Sequence, residues 1–554
     1  MAPIELRLFQ CRTQAVCDEM GVVLRRAAFS PNIKDRLDFS CALFDANGRL
    51  AAQAAHIPVH LGSMAFAMAD IVARFVWQPG DVVVFNDPFL GGTHLPDVTV
   101  VAPAFIDGRL IAFVANRAHH ANIGANEPGS MPLSRTLDEE GIVIAPQLLA
   151  RAGVVQAEAA ALLGRISGLT VSATELLQQP ALADFRAQIS ANEIGLVRLL
   201  ELTRPIGAAG FTAGVGALDA YAERLARQAL TRIPRGRYAF TDYLDDDGQG
   251  TLDLPIRVEV VVDAQRMLVD FAGTAEQVPG NVNCPLAVCA AAVFYVFRCL
   301  LPAQTPACAG AFAPVVLRAP HGSLVNARSP AAVAAGNVET SMRIVDAMFG
   351  ALAQALPGQV AAASQGTMNN IAMGTNDGLR WDYYETLAGG HGAGAAADGI
   401  SARHAHMTNT LNTPVESLEQ HYPLLVRRYA VRKGSGGAGR FRGGEGVERE
   451  LEFLAGTRVT LLTERRRRAP WGLAGGGTGA VGENRLNGVL LPGKVAFVAK
   501  AGDRLLVRTP GGGGWGVAHP LRRVSRTTPE RARPRWPWRS DSDLPRAARA
   551  GSRS

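Results

Sequence analysis

With 554 residues, 48% of them hydrophobic and 19% charged, the chain has the composition of a folded, multi-lobed protein rather than a disordered or fibrous one. The formal net charge of +7 is concentrated in residues 517–554, which hold ten Arg, no Lys and three acids; the rest of the chain is balanced, which argues against nucleic-acid binding by its main body. The longest apolar run, Leu286–Phe297, has twelve residues against the ~20 of a membrane-spanning helix, and no basic segment followed by an apolar one opens the chain. Seven cysteines without a CxxC spacing suggest neither a zinc ribbon nor a disulfide framework, so reduced, mostly buried thiols and a cytoplasmic location are expected.

Taken in chain order, the pattern predicts an α+β (mixed α/β), multi-lobed fold. Residues 1–170 read as a lobe rich in antiparallel β-hairpins. The run SCALFDANGRLAAQAAH, Ser40–His56, places Asn47-Gly48 between apolar segments, a strong signal for a tight turn. Pairing across that turn sets His56 opposite Phe39 and close to Asp38, with Asp35 and His60 just beyond. Two readings of this group stand: satisfied polar groups in a loop, or a site facing a substrate or subunit.

A second hairpin is centred on Asp107-Gly108, between VTVVAPAFI and RLIAFVAN, the sequence of a two-residue type I′ turn. Its register sets His119 opposite Pro96 and next to Asp97. Adjacent strands lie about 4.8 Å apart, so His94, Asp97 and His119 are expected to converge at the open end of the hairpin. Pro103 inside the first strand signals an edge position or a bulge. In NDPFLGGTHLPDVTVV, Asn86–Val101, the glycines let the backbone bend and Pro96 stiffens the turn. Two imidazoles and a carboxylate meeting from loops make a facial ligand set with positions left open for water and substrate. The competing reading is that these histidines only form hydrogen bonds. His120 points the other way if the strand persists.

Residues 171–235 turn helical. Ser172 and Glu175 have capping-box spacing, Pro180 punctuates, and ALADFRAQISANEIGLVRLLEL and AGVGALDAYAERLARQALTRI carry apolar residues at helical spacing. Residues 236–516 read as a mixed α/β lobe, with strands in LPIRVEVVVDAQRMLVDFAG, apolar helices near Ala287–Leu301 and Asn337–Leu356, and a Gly-rich β/loop region after Ser364. Residues 517–554 are expected to form a basic, disordered tail. No repeat of 20–50 residues is present.

Two stretches imitate phosphate loops. Gly434–Gly439 satisfies GxGxxG but precedes RFRGGEG rather than a helix, and Gly488–Lys494 has Walker spacing with Val495 where Ser or Thr would hold Mg²⁺. The chain is therefore expected to bind no nucleotide itself. Asn369, Asn370, Glu385 and His391 lie in Gly-rich loops and are candidate substrate-binding residues. Glu339 reads as a first-turn helix acid. ERRRRAPWG, Glu464–Gly472, either faces a phosphorylated intermediate or is a solvated basic turn or subunit contact.

The stretches GDVVVFNDPFLGGTHLPDVTVVAPAF, NRAHHANIGANEPGSMP, GNVETSMRIVDAMFGALAQALP, YYETLAGGHGAGAAADG and HMTNTLNTPVESLEQHYP together resemble the hydantoinase B / 5-oxoprolinase family, which includes the α subunit of acetone carboxylase. The resemblance spans about Leu6 to Gly516. It implies a two-component, ATP-dependent enzyme in a hetero-oligomer. A hydantoinase A-like ATPase partner activates the carbonyl oxygen of a cyclic amide (hydantoin or 5-oxoproline type), and this chain completes the hydrolysis. It also implies a divalent metal held by His94, Asp97 and His119, a donor set that suits Mn, Fe or Zn. Asp87 and His120 are the candidates for proton transfer, with Asp87 alternatively capping a turn. The alternatives are a ketone carboxylase subunit and a non-catalytic scaffold subunit. The chain departs from the family pattern where HHANIGA replaces the usual HHxDxGG, so that Asn122 stands in place of an acid and Ala125 in place of Gly.

Overall fold

The first residues, for which the pattern suggested only short strands and turns, form a helix over Pro3–Ala27. Pro3 presets the first turn, Glu5 accepts a hydrogen bond from the Ala2 N–H, and Arg25 and Arg26 complement the dipole of the last turn. Its buried stripe is Phe9, Thr13, Val16, Cys17, Met20 and Leu24, which is helical spacing with two members too small or polar to stand out in the sequence. The structure is a computed structural model that describes residues 1–518 except 55, 168–178, 180–181 and 376–380. Ser172, Glu175, Pro180 and the basic tail from 519 onward lie outside the described residues.

The fold is α+β, with several antiparallel sheets. The sheet that carries the site has seven strands: β1 (Phe39–Asp45), β2 (Leu50–Gln53), β3 (Val82–Phe85), β4 (Asp97–Ile106), β5 (Arg109–His119), β6 (Gln147–Arg151) and β7 (Val154–Val155). Their order is β2-β1-β5-β4-β3-β6-β7, with every pair antiparallel. Helices cover both faces. The helix Pro58–Val72 buries Leu61, Met64, Met68 and Ile71 against Phe44, Phe85, Val101 and Phe113, at about 1.5–3 kcal/mol for each large side chain. On the other face, the helix Ala183–Thr203 packs Phe185 against Val98 and Val100. Gln188 and Asn192 donate to the carbonyls of Val98 and Val100 at 2.9 and 3.1 Å. Gly195 lets this helix approach the first one, because a Cβ there would lie 2.6 Å from the Met20 sulfur.

The hairpin register differs from the sequence expectation by one residue. Ile106 faces Arg109 and Phe105 faces Leu110, as a two-residue turn requires, but the ladder then slips between Ala104 and Phe105. From Ala104 inward the register is shifted, and His119 faces Asp97 itself rather than Pro96. The bulge sits beside Pro103, which has no N–H to give the ladder; β3 pairs with β4 only over Thr99–Val101, so Pro103 also lies past the end of that ladder.

The helices expected near Ala287–Leu301 and Asn337–Leu356 form over Leu286–Leu300 and Ser341–Ala355, the second preceded by a π-turn at Gly336–Thr340. Gly434–Gly439 leads into a strand, and Gly488–Lys494 holds the strand Val489–Leu491 between two turns, neither opening a helix. Several glycines of the C-terminal region pack backbone on backbone. A Cβ on Gly512 would meet the His391 carbonyl oxygen at 1.9 Å, which is why a side chain is excluded there. Cys11 and Cys299 are exposed, the other five cysteines are buried, and all seven are free. Among the described residues no helix is long and apolar enough to cross a membrane.

Candidate metal centre

The open end of the β4–β5 hairpin is shaped by the loop before β4. Gly91 adopts φ 104°, and a Cβ on Gly92 would lie 2.3 Å from the Asn86 carbonyl oxygen, so both positions require glycine. Asn86 staples the loop: its Nδ2 donates to the Leu95 and Ile142 carbonyls and its Oδ1 accepts the Ile144 N–H at 2.6 Å. This presents His94 beside the first residue of β4, Asp97, while β5 delivers His119 from across the ladder.

The three side chains meet in the interior. His94 Nε2 and His119 Nδ1 lie 3.0 and 3.2 Å from Asp97 Oδ1, and one candidate ligand atom from each residue falls within 4.8 Å of the others. The Asp38/His56/His60 group divides. His60, on the helix Pro58–Val72, joins this cluster with Nε2 at 3.2 Å from Asp97 Oδ2 and 3.9 Å from Asp38 Oδ1. His56 remains against Phe39, as the hairpin pairing indicated, with its Nδ1 accepting the Cys41 N–H.

Asp97 also accepts a hydrogen bond from Thr93 Oγ1 at 2.6 Å and a longer one from Asn337 Nδ2 at 3.4 Å. Burial by itself would raise the Asp97 carboxyl, but the charges of His94 and His60 and hydrogen bonds from His119 and His60 outweigh it and hold the group well below the usual carboxylate range. His94 is raised because Asp97 overcomes the opposing effect of burial, whereas for His119 burial wins and the imidazole is lowered.

Three buried ring nitrogens, His60 Nδ1, His94 Nδ1 and His119 Nε2, have no hydrogen-bond partner. Unpaired lone pairs around one carboxylate suit a borderline-soft divalent cation, so the residues fit such an ion. The cavity they line measures about 20 Å³, room for roughly one water molecule. Tyr384, Met368, Thr408 and Thr410 close it from the C-terminal part of the chain. Tyr384 stacks on His119 at 4.6 Å and 11°, and its hydroxyl donates to Asn370 Oδ1 at 2.7 Å. Arg36 clamps that strand to the site, donating to the Tyr384 carbonyl at 2.9 Å and lying 3.5 Å from Asp38.

The other sequence candidates are placed elsewhere. Asp87 caps its own turn by accepting the Phe89 N–H, and burial raises its carboxyl. His120 turns to the opposite face, 2.9 Å from Gln188 Oε1 and packed on Phe185. Asn370 reaches the cluster only through Tyr384, while Asn369 accepts from Arg466 at 2.8 Å. Glu385 pairs with Arg449 at 2.9 Å, and His391 bonds the His404 carbonyl in the Gly-rich region. Asn122 makes an Asx-turn with the Gly124 N–H and donates to Asp382, and Ala125 is buried; none of these residues lines the cavity. Glu339 lies in the turn that opens the helix, as a first-turn acid, but it is fully buried and accepts from Met368 and Asn370. ERRRRAPWG is divided: Arg465 is buried, Arg466 and Arg468 are half-buried, and Arg467 is exposed. Sequence reasoning missed Thr93, Asn337 and Tyr384, which carry no local signal of a shared site.

Fold and site together define a mixed α+β protein with a buried His/Asp donor cluster at one end of an antiparallel sheet. The chain belongs to the Hydantoinase B/oxoprolinase family, whose pattern matches residues 2–518. It is 39% identical to 5-oxoprolinase 1 of Arabidopsis thaliana, over 93% of this chain and 42% of that protein, so the chain spans about two fifths of the length of several relatives it matches. A Pseudomonas protein named as a component of a D-/L-hydantoinase is 32% identical over 94% of this chain and 90% of its own length. Among solved structures, the ATP-dependent caprolactamase of Pseudomonas jessenii superposes with a TM-score of 0.84 at 27% identity, covering 93% of this chain and 91% of that one. Nucleotide-free acetone carboxylase gives 0.80 at 18% identity, covering 93% and 76%, a likeness of fold.

Proposed function

We propose that this chain is the ring-opening component of an ATP-dependent enzyme acting on a cyclic amide of the hydantoin or 5-oxoproline type. A separate hydantoinase A-like ATPase subunit supplies carbonyl activation. The observation that carries this reading is the buried cluster of His94, Asp97 and His119, whose unpartnered ring nitrogens suit a divalent ion. The likeness to a caprolactamase at 27% identity supports a lactam as substrate, and the turn-forming character of residues 434–439 and 488–494 agrees with nucleotide chemistry residing on the partner.

An ion such as Mn, Fe or Zn, held by His94, Asp97 and His119, supplies Lewis acidity and a ready source of nucleophile from water at neutral pH. Thr93, His60 and Asn337 hold the Asp97 carboxylate in place, and Tyr384 and Asn370 fix the ring of His119. On the activated carbonyl, water forms the new C–O bond and the ring C–N bond breaks, its electron pair passing to nitrogen, which takes a proton. A second water then hydrolyses the remaining acyl phosphate.

Elemental analysis of protein prepared without chelator tests the site. One divalent ion per chain is expected, falling below about a tenth in His94→Ala, Asp97→Ala and His119→Ala. Ring opening of lactams with ATP and the partner subunit tests the reaction. A folded wild type that takes up no ion when offered Mn, Fe or Zn, or carboxylation of a ketone in place of lactam hydrolysis, would overturn the reading.

A further inference from the structure

A cavity of about 20 Å³ admits no ring compound, so a substrate must reach it from an adjoining space. A pocket of about 260 Å³ lies on the far side of the same two chain segments. In the first segment Ile57, Val59 and His60 line the cavity while His56, Pro58 and Leu61 line the pocket. In the second, Thr408 and Thr410 line the cavity and Asn409 the pocket. The two spaces share these walls: the start of the helix Pro58–Val72 and the segment Thr408–Thr410.

The pocket is built for a small apolar body with one negative charge. Its wall includes Leu61 and the stacked rings of Phe294 and Phe312, 4.6 Å apart at 19°. Arg298, in the last turn of the helix Leu286–Leu300, is the one arginine or lysine lining it. The side chain is half-buried, its Nη1 has no hydrogen-bond partner, and among the described residues no carboxylate forms an ion pair with it. A half-buried guanidinium without a counter-ion gains a charge-assisted hydrogen bond from a carboxylate. The other basic group, His56, is driven down to about 4 by burial and by the nearby His60, so the pocket carries a single positive charge at neutral pH. That charge matches a carboxylate monoanion better than a phosphate dianion.

We propose that this pocket is the entry subsite for a small ring compound bearing one carboxylate, and that Arg298 is the residue that selects a carboxylate-bearing lactam over a neutral one. The inference deepens the cyclic-amide reading and rests on it. From this pocket the ring reaches the His94/Asp97/His119 cavity when the segments around Pro58 and Asn409 part.

Isothermal titration calorimetry with 5-oxoproline and with pyrrolidin-2-one, the same ring without its carboxylate, tests the subsite on wild type, Arg298→Met, Arg298→Gln and Arg298→Lys. Wild type should bind 5-oxoproline at least about tenfold more tightly than pyrrolidin-2-one. Arg298→Met and Arg298→Gln should lose that preference with metal content and melting temperature unchanged, and Arg298→Lys should keep part of it. Equal binding of the two rings by wild type, binding of neither, or a preference that survives in Arg298→Met and Arg298→Gln would overturn the subsite. Ring opening that is independent of Arg298 overturns the subsite and leaves the cyclic-amide reading standing. An Arg298-dependent preference in a complex that opens neither ring does the reverse.

Discussion

Two regions bury charge in this molecule, and they do it differently. In the network between the helix Ser341–Ala355 and the segment Glu464–Arg468, cations and carboxylates are matched. Arg465 lies 2.8 Å from Asp242 and 2.6 Å from Asp346, Arg343 is 3.3 Å from Glu464, and Lys494 is 2.5 Å from the same glutamate. At the end of β4, three imidazoles converge instead on one carboxylate, and their outer nitrogens have no partner. A guanidinium or ammonium has only protons to offer, so acids balance its charge, whereas a neutral imidazole keeps a lone pair for a ligand. Burial of charge alone therefore marks no site; a surplus of lone pairs over hydrogen-bond donors does.

Breaking the matched network should cost the most stability. Arg465→Met leaves Asp242 and Asp346 without their shared cation and should lower unfolding stability by about 3–5 kcal/mol, measured by urea denaturation, with metal uptake by the folded fraction unchanged. In the donor cluster the expectation is reversed. Asp97→Asn removes the carboxylate on which the three imidazoles converge, and it should weaken metal affinity more than about 100-fold in competition titrations while changing stability less than the arginine variant does.

Glu339 stands where the regions meet, bonded to Asn370 on one side and sensing Glu464 and Lys494 on the other. Burial pushes its carboxyl from 4.5 up to about 8, with the charge of Glu464 adding to it against a hydrogen bond from Thr367. The folded state therefore holds a proton that the unfolded chain has released. Its contribution to stability is complete below pH 4.5 and is lost as the pH rises to about 8, with a slope of at most ~1.4 kcal/mol per pH unit. Glu339→Gln should flatten that slope in denaturation measured across the range, and an unchanged slope would show that the carboxyl is ionised throughout.

The smallest effect is expected at Tyr384. Tyr384→Leu removes the ring stacked on His119 and should weaken metal affinity about tenfold, whereas Tyr384→Phe keeps the ring and should stay within roughly threefold of wild type. Equal losses in the two variants would mean that the hydroxyl bond to Asn370, and not the stack, orients His119.

What the sequence determined by itself was short-range. The spacing of His94 and Asp97, the Asp107-Gly108 turn that returns the chain to His119, the helical runs after Ala183 and the two false phosphate loops all follow from backbone geometry within about 25 residues. Even there, the bulge beside Pro103 moved the pairing by one residue, because a missing N–H shows where a ladder is disturbed but not which way it slips. Tertiary structure decided what packs from a distance. His60 reaches Asp97 from a helix, Tyr384 covers His119 from 265 positions further along the chain, and Arg465 is drawn inside by Asp242 and Asp346, more than 90 positions away. Such contacts depend on which faces the hydrophobic core brings together, and that is settled only when the whole chain competes to bury its apolar surface.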